Sequence, residues 1–272
     1  MVPVNTDGTR LELADREQLT GIDWNVDRVF LFAGATGTVA AFDHIDRFVR
    51  GNELALMNVL DAIRRSEHRP RLIFPSSRLV YRGADSPLKE DAPLEAKTVY
   101  AANKIACEYL LQAYAAAWQI HYTVLRICVP YGNSIGDHYS FGTVGNFIAQ
   151  ARNNARIRLY GGGTLRRTFT HIDDVCELAL RASQHPGAID GVFNMPGEDL
   201  SLREAAQLVA DRFGAVVEAA DWPEMDARIE SGSTVFDSSR LQALLQVTAS
   251  HRMADWAMSL QANAVAARPA AP

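Results

Sequence analysis

Short apolar runs alternate with longer amphipathic stretches over the first half of the chain. Val29–Ala33, Arg71–Pro75 and Tyr122–Ile127 are brief and mostly apolar, and the first of them is followed by glycine. Such runs are typical of strands that are buried on both faces of a sheet. Asn52–Ser66 and Ala101–Trp118 instead carry apolar residues at helical spacing. In the second helix this stripe is Ala106, Leu110, Leu111, Tyr114 and Trp118. The alternation predicts a parallel sheet with right-handed crossovers and helices on both faces.

The pattern loosens after Pro130. Tyr131–Gly136 predicts a loop, and Ile157–Tyr160 predicts a short strand that stops at the three glycines Gly161–Gly163. Helical spacing of apolar residues returns in three stretches, which predict helices at 144–152, 173–182 and 202–213.

Composition and charge narrow the class of protein. Of the 272 residues, 48% are hydrophobic and 22% are charged, which is typical of a globular chain. The 27 basic and 32 acidic side chains give a formal net charge of −5, which argues against nucleic-acid binding. No apolar run has the length of a bilayer span, and the first residues lack a signal-peptide pattern. Three scattered cysteines favour the reducing cytoplasm. The seven histidines lack metal-ligand spacing, so we expect no metal site.

Tyr100 and Lys104 are the most informative pair of residues. They lie four positions apart on one face of the predicted helix, so both side chains can reach one site. A lysine cation beside a phenol favours the phenolate and lowers the tyrosine pKa. A tyrosine with a lowered pKa can exchange a proton with an alcohol while a hydride moves. On its own, the same spacing is also typical of a solvated helix face.

The surroundings of this pair strengthen the chemical interpretation. Ser76 and Ser77 directly follow the strand Arg71–Pro75, at the edge where open α/β sheets bind ligands. Leu125–Gly132 leaves the next strand toward the same edge. We therefore expect Ser77 to converge with Tyr100 and Lys104 in one cleft.

Taken together, these motifs resemble the extended short-chain dehydrogenase/reductase family, in its NAD-dependent sugar-nucleotide epimerase/dehydratase group. The group includes UDP-glucose 4-epimerases. The resemblance covers nearly the whole chain and implies an α/β fold with a Rossmann-like, doubly wound parallel sheet and a smaller α+β substrate-binding portion. It is carried by FAG at 32–34, Asn52, SSRLVY at 76–81, YAANK at 100–104, LRICVPYG at 125–132, GGGTLRRTFTHIDD at 161–174, VFNMP at 192–196 and DSSRL at 237–241.

The resemblance also implies a division of the chain. Residues 1–130 correspond to an incomplete dinucleotide-binding domain, to which residues 167–183 return. Residues 131–166 and 184–264 form the substrate-binding portion, and residues 265–272 form a disordered tail.

The front of the chain departs from the family, whose members open with a strand, GxxGxxG and a helix. Gly34–Ala40 imitates that motif, but only 43 residues separate Gly34 from Ser77, which leaves room for one crossover. We therefore place Gly34–Ala40 after the strand beside the serine strand, and Glu12 in the position of the family's adenine-side aspartate. Without the glycine-rich unit, the chain is expected to bind NAD or NADP weakly.

The family's functional residues carry over to this sequence as three sets. The catalytic set is Ser77, Tyr100 and Lys104. The cofactor-binding set is Ala33, Gly34, Ala35, Asn52, Ser76, Tyr100, Lys104 and Ile127. The substrate-binding set is Thr36, Arg78, Val129, Asn146 and Arg167, of which Arg167 matches the arginine that contacts the nucleotide phosphates.

Several of these positions also have a purely structural interpretation. Asn52 is equally suited to capping a helix start, and Arg167 to being a solvated charge beside Arg166. His171 is expected to be a packing residue. The adjacent carboxylates Asp173 and Asp174 are expected to be a helix start.

Three substitutions relative to the family pattern narrow the chemistry. Arg78 and Leu79 stand where 4,6-dehydratases carry the acidic residues that β-elimination requires, which argues against that reaction. Val129 replaces an asparagine that contacts substrate, and Thr168 replaces an aspartate. Arg78 is able to meet the carboxylate of an acidic sugar, and the alternative is an outward-facing surface arginine.

The resemblance thus implies an NAD(P)-dependent epimerase or oxidoreductase that acts on a nucleotide sugar in the cytoplasm. It also implies a homodimer through a four-helix bundle built from the helices at 52–66 and 101–118. The alternative is a non-catalytic or truncated homologue that has lost cofactor binding and serves as a binding or partner subunit.

Overall fold

The computed structural model describes residues 11–132, 134–135, 138–139 and 142–261. The tail expected at 265–272 lies outside these residues. The strands are β1 (Arg28–Phe30), β2 (Arg71–Ser77), β3 (Tyr122–Ile127), β4 (Val129–Tyr131), β5 (Ser134–Ile135), β6 (His138–Tyr139), β7 (Arg156–Tyr160), β8 (Arg166–His171), β9 (Gly191–Asn194), β10 (Glu198–Ser201) and β11 (Val216–Ala220). The α-helices are α1 (Ala40–Asp43), α2 (Ile45–Phe48), α3 (Ala55–Arg65), α4 (Val99–Trp118), α5 (Thr143–Asn154), α6 (Ile172–Gln184), α7 (Leu202–Phe213), α8 (Glu224–Ile229), α9 (Ser239–Leu245) and α10 (Met253–Ser259).

A parallel four-stranded sheet in the order β1-β2-β3-β9 forms the centre of the fold. Alternate side chains of each strand point to opposite faces. Leu72, Phe74 and Val124 pack with α3 and α4 on one face. Ile73 and Leu125 pack with α6 and α9 on the other face. The predicted doubly wound α/β sheet is therefore confirmed.

The order of the strands bears on the glycine-rich loop after β1. β1 pairs directly with β2, the strand that carries the two serines, through Arg28, Val29 and Phe30. The loop containing Gly34 therefore follows the strand beside the serine strand, as its distance from Ser77 in the sequence indicates.

A second set of strands and helices follows β3. β8 lies between β10, to which it is antiparallel, and β4, to which it is parallel. β7 pairs with β11 in parallel. The core here includes Phe147 on α5, Ile157 on β7, Phe169 on β8 and Val209 on α7. β8 thus belongs to this second set, whereas α6, which follows it at once, packs on the central sheet. The domain boundaries stay a prediction.

The loop predicted at 131–136 is partly wrong. Tyr131 belongs to β4, because its register with β8 continues as far as His171. Ser134 and Ile135 pair antiparallel with His138 and Tyr139. Residues 133, 136 and 137 lie outside the described residues.

The helix predicted to start at Asn52 begins earlier. α2 continues without interruption through a π-helical segment, Val49–Leu54, into α3. Asn52 lies inside this segment and is buried. The interpretation of Asn52 as the cap of a helix start is therefore wrong. Single π-helical turns within α-helices are frequently found at functional sites.

Helix α4 buries polar side chains in addition to part of the apolar stripe that the sequence suggests, of which Leu111 is 1% exposed. Trp118, a member of that stripe, is 44% exposed, whereas Asn103, Lys104 and Glu108 are at most 6% exposed. The reason is that these polar side chains find partners inside the protein. The Thr98 hydroxyl caps α4 by accepting a hydrogen bond from the amide of Ala101 at 3.0 Å.

A buried ion pair fixes α4 to the sheet. Arg126 on β3 donates to Glu108 through Nε at 3.0 Å and through Nη2 at 2.6 Å, and both side chains are 4% exposed. The Ser76 hydroxyl donates to the same carboxylate at 2.5 Å. Arg126 also donates to the Tyr81 hydroxyl, which in turn donates to Asn194 at 2.7 Å. The network ties β2, β3, α4 and β9 together beneath the predicted site.

None of the helices that the structure describes combines the length and the apolar character that crossing a bilayer requires.

Candidate active site

Ser77 ends β2 and opens a 3-10 turn at Arg78–Val80. Its hydroxyl accepts a hydrogen bond from the amide of Leu79 at 3.2 Å, which fixes the side chain where the strand stops. The Ser77 side chain also acts on the phenol of Tyr100, in the first turn of α4. Burial raises the pKa of Tyr100 to about 12, and the interaction with Ser77 opposes this rise.

Lys104 lies one turn further along α4 and points at the same strand end. Its Nζ donates to the carbonyl of Pro75 at 2.7 Å and lies 4.4 Å from the ring centroid of Phe74. The distance from Nζ to the ring centroid of Tyr100 is 5.8 Å. Burial lowers the pKa of Lys104 to about 8, and the charge of Glu108 opposes this.

The structure thus brings Ser77, Tyr100 and Lys104 together at the carboxyl end of β2. The expected direction of the Tyr100 pKa shift is nevertheless wrong. Burial of the phenol is the largest cause of the shift, and the Lys104 ammonium is directed to the carbonyl of Pro75. At neutral pH the phenol is therefore protonated in this structure.

Asn52 closes the loop after β1 against the helix. Its Oδ1 accepts from the amide of Ala35 at 3.0 Å, and its Nδ2 donates to the carbonyl of Ala35 at 3.1 Å. The contact requires a glycine at the position before Ala35, because a Cβ on Gly34 would lie 2.6 Å from the Asn52 Oδ1. The π-helical segment thus presents Asn52 to this loop and holds the backbone of Gly34 and Ala35 in place.

The other predicted cofactor positions have different surroundings. Ile127 is partly exposed at the end of β3, and Ala33 is partly exposed in the segment that follows β1. The Ser76 hydroxyl donates its hydrogen bond to Glu108 in the buried network. In this arrangement the hydroxyl is not available as a donor to a cofactor.

Among the predicted substrate positions, Thr36 and Asn146 are exposed, in the loop after β1 and in the first turn of α5. Val129 is 5% exposed and belongs to the second core, so it packs and is not available to contact substrate.

Arg167 on β8 is 1% exposed and is not the solvated charge that its neighbour Arg166 suggests. Its Nη2 pairs with Glu230 at 2.7 Å, and its Nη1 donates to the carbonyls of Gly232 and Arg166. Burial and the charge of Arg78 lower the pKa of Arg167 to about 10. Arg166 is the exposed member of the pair and binds Asp199 and Glu204.

His171 combines packing with capping. Its Nδ1 accepts from the amide of Asp173 at 3.2 Å at the start of α6, and its ring stacks on His251 at 4.4 Å. His251 in turn faces Asp174, whose carboxylate also accepts from the amide and hydroxyl of Ser250. Ligand atoms of His171, Asp173 and His251 lie within 4.8 Å of one another. Hydrogen bonds already occupy the Nδ1 atom of each ring, to the amide of Asp173 for His171 and to the carboxylate of Asp174 for His251. The expected absence of a metal stays a prediction.

Two features of the site were missed in the sequence. Glu108 continues the face of Tyr100 and Lys104 by one more turn, and that spacing is the signal that could have found it. The partnership of His251 with Asp174 joins residues 77 positions apart and has no local signal.

Comparison with known proteins gives the family. The sequence model of the NAD dependent epimerase/dehydratase family matches residues 3–195. The chain belongs to this family. Its members are enzymes, so the expected class of protein is confirmed.

Curated relatives cover the chain to different extents. The low-salt glycan biosynthesis protein Agl12 of Haloferax volcanii is 22% identical over 86% of this chain and 74% of its own length. A dTDP-glucose 4,6-dehydratase of Streptomyces antibioticus is 27% identical over 78% of this chain and 62% of its own length. A dTDP-L-rhamnose 4-epimerase of Burkholderia thailandensis is 31% identical over 43% of this chain and 33% of its own length. The chain thus spans less than two thirds of some of these relatives.

Solved structures agree on the fold. UDP-glucose 4-epimerase of Thermotoga maritima, solved with UDP-glucose, has a TM-score of 0.81 at 18% identity, with 93% of this chain and 84% of that chain covered. RMD of Pseudomonas aeruginosa, complexed with NADPH, has a TM-score of 0.79 at 22% identity, with 95% and 87% covered. At these identities the likeness shows a shared Rossmann-type fold.

The described residues fit the nicotinamide end of an NAD(P) cofactor. An ammonium has three donors, and Pro75 takes one donor of Lys104. Gly34 forms a cradle with Asn52 that a Cβ would fill. For the pyrophosphate, the loop after β1 offers Gly34 and Gly37, both with positive φ, but leads into α1, which is only four residues long. Anion sites normally use the N-terminus of a longer helix.

Proposed function

We propose that this chain is an NAD(P)-dependent epimerase or oxidoreductase of nucleotide sugars, with Ser77, Tyr100 and Lys104 as its catalytic residues. The observation that carries the proposal is the convergence of the three side chains at the end of β2: the Lys104 Nζ donates to Pro75 at 2.7 Å, two residues before Ser77, and lies 5.8 Å from the Tyr100 ring centroid. The family membership of the chain supports the cofactor class, and the names of several relatives support the substrate class.

Each side chain has a role that its contacts suit. The Tyr100 phenol gives a proton to a carbonyl oxygen or, as phenolate, takes one from a hydroxyl group. Ser77 hydrogen-bonds the same substrate oxygen and fixes its position. A bound NAD(P) supplies the hydride acceptor or donor and, when oxidised, a positive charge beside the phenol. Lys104 adds a second positive charge, and opposite charges favour the phenolate.

The pKa of Tyr100 determines which direction of proton transfer the site is ready to perform. With a pKa of about 12, Tyr100 is protonated at neutral pH and is ready to donate a proton. A catalytic base works best with a pKa near the operating pH. We therefore propose that proton removal from a hydroxyl group needs the positive charges at the site to lower the pKa of Tyr100.

The test is turnover of a nucleotide-sugar panel in the presence of NAD or NADP, followed by chromatography of the products. Tyr100→Phe should abolish turnover and leave the fold intact. Tyr109→Phe is the matched control, because Tyr109 lies on the same helix and is 60% exposed. Equal turnover by Tyr100→Phe and the parent would remove the catalytic assignment.

The alternative, a non-catalytic binding or partner subunit, is favoured by the single-turn helix α1 after the Gly34–Gly37 loop. Under this alternative, we expect no turnover with NAD or NADP, and we expect Tyr100→Phe to leave nucleotide-sugar binding unchanged.

We further propose a homodimer through α3 and α4. The support is the outward side of α4, where Tyr109 is 60% and Trp118 is 44% exposed. Tyr109→Glu, at the more exposed of these two positions, should convert the dimer into monomers in light scattering. A chain that is monomeric before the substitution would contradict the proposal.

A further inference from the structure

Arg78 directly follows Ser77, at the end of the strand where the substrate oxygen is expected. Its side chain is partly buried and turns toward the segment that follows α8, where Nη1 donates to the Ser231 hydroxyl at 3.3 Å. This contact is unlike that of an outward-facing surface arginine. In the described part of the chain, no carboxylate pairs with Arg78.

Arg78 and Arg167 belong to one electrostatic cluster. Arg167 is held by Glu230 and the carbonyl of Gly232, the residues on either side of Ser231. The positive charge of Arg78 helps to lower the pKa of Arg167. The charges of both arginines also oppose the burial that raises the pKa of the Cys128 thiol. Glu230 forms its ion pair with Arg167, so within this cluster the guanidinium of Arg78 is left without a carboxylate partner among the described residues.

A partly buried cation without a counter-ion is costly unless a ligand supplies the missing charge. A guanidinium offers a planar fork of donors that matches a carboxylate or a phosphate. The family resemblance matches Arg167, and not Arg78, to the arginine that contacts the nucleotide phosphates, so Arg78 has no anion assigned to it. Arg78, next to the serine that meets the sugar hydroxyl, is therefore placed for a second anionic group.

We propose that Arg78 is a specificity residue that binds a carboxylate on the sugar ring, so that the substrate is a nucleotide-linked acidic sugar. The inference rests on the proposed function and names the substrate class of the same site. The same guanidinium could receive an anion from another source, the diphosphate, and the experiment separates the two.

The experiment is calorimetric titration of the full chain with three ligands that share one nucleotide. Free UDP, dTDP and GDP first establish which base binds. The free diphosphate, its neutral hexose conjugate and its hexuronate conjugate are then compared in the parent, in Arg78→Gln and in Arg78→Lys. Arg82→Gln is the matched control, since Arg82 is an exposed arginine four residues further on.

The expected result is tighter binding of the hexuronate than of the neutral hexose by the parent. Arg78→Gln should weaken the hexuronate about 10- to 100-fold, the effect of losing a charged hydrogen bond, and leave the free diphosphate unchanged. Arg78→Lys should recover part of the loss because it keeps the charge without the fork. Arg82→Gln should behave as the parent.

Three results would overturn the inference. If Arg78→Gln weakens the free diphosphate as much as the hexuronate, Arg78 serves the phosphates. If the parent binds both sugars equally, the carboxylate is not recognised, while the proposed function survives. If the parent binds no nucleotide at all, the proposed function fails and the inference fails with it. Retained binding of the free diphosphate shows that each variant is folded.

Discussion

Removing the charge of Glu108 should destabilise the protein far more than the same change on its surface. Glu108 accepts two hydrogen bonds from Arg126 and one from Ser76, and the pair is 4% exposed. Glu108→Gln leaves the guanidinium of Arg126 buried without its counter-ion. Breaking a buried pair on one side costs about 3–5 kcal/mol. The matched control is Glu177→Gln, whose partner Arg181 lies one turn away on α6 and whose side chains are about half exposed.

The assay is urea unfolding followed by circular dichroism, with both variants measured beside the parent. An exposed pair of this kind contributes about 0.3–0.5 kcal/mol, so Glu177→Gln should move the midpoint very little. With a urea dependence of about 1–3 kcal/mol per molar, Glu108→Gln should lower the midpoint by about 1 M or more. Equal midpoints for the two variants would refute the reasoning that burial decides the strength of this pair.

Three further outcomes are expected. Arg167→Ala should weaken nucleotide-sugar binding in titrations about 10- to 100-fold, and Arg166→Ala should weaken it less, because Arg167 is the position that matches the family's phosphate-contacting arginine. Calorimetric titration with NAD and NADP should show weak binding, and tight binding would show that the Gly34–Ala40 loop holds the phosphates. Pairing with Asp174 raises the pKa of His251, so its stabilisation is complete below the unfolded histidine pKa of about 6.5 and is lost as the pH rises through the folded value. His251→Gln should therefore lower the melting temperature at mildly acidic pH and have little effect at alkaline pH.

The sequence predicts best where local signals agree with the tertiary structure. α7 begins and ends as expected, because Ser201 and Glu204 form a capping box and Gly214 closes the helix in the left-handed conformation. β3 also has the predicted bounds, since an apolar run in the middle of a sheet is buried on both faces. In such segments the local preference and the packing point to the same structure.

The buried face of α4 shows where such reasoning fails. Apolar spacing suggests a stripe that ends at Trp118, but the protein exposes Trp118 and buries Lys104 and Glu108. Their partners, Pro75 and Arg126, lie 29 and 18 residues away in the chain, and pairing over such distances leaves no periodic signal.

The residues of the candidate site also fall into those that local sequence signals identify and those whose contacts depend on the fold. Ser77, Tyr100 and Lys104 can be found from their positions at a strand end and on one helix face. The role of Asn52 depends on Ala35, and the burial of Arg167 depends on Glu230, which is 63 residues away. The fold decides both contacts, so the sequence could only suggest the residues and not their surroundings.

The two adjacent serines at the end of β2 would respond differently to random mutagenesis. The Ser76 hydroxyl donates a hydrogen bond to the buried carboxylate of Glu108, whereas the Ser77 side chain acts on the phenol of Tyr100. A library selected only for soluble expression should therefore lose substitutions at Ser76 and keep many at Ser77. A library selected for activity should lose both. The ratio of the two survival frequencies would separate the demands of folding from those of chemistry at neighbouring positions of one strand.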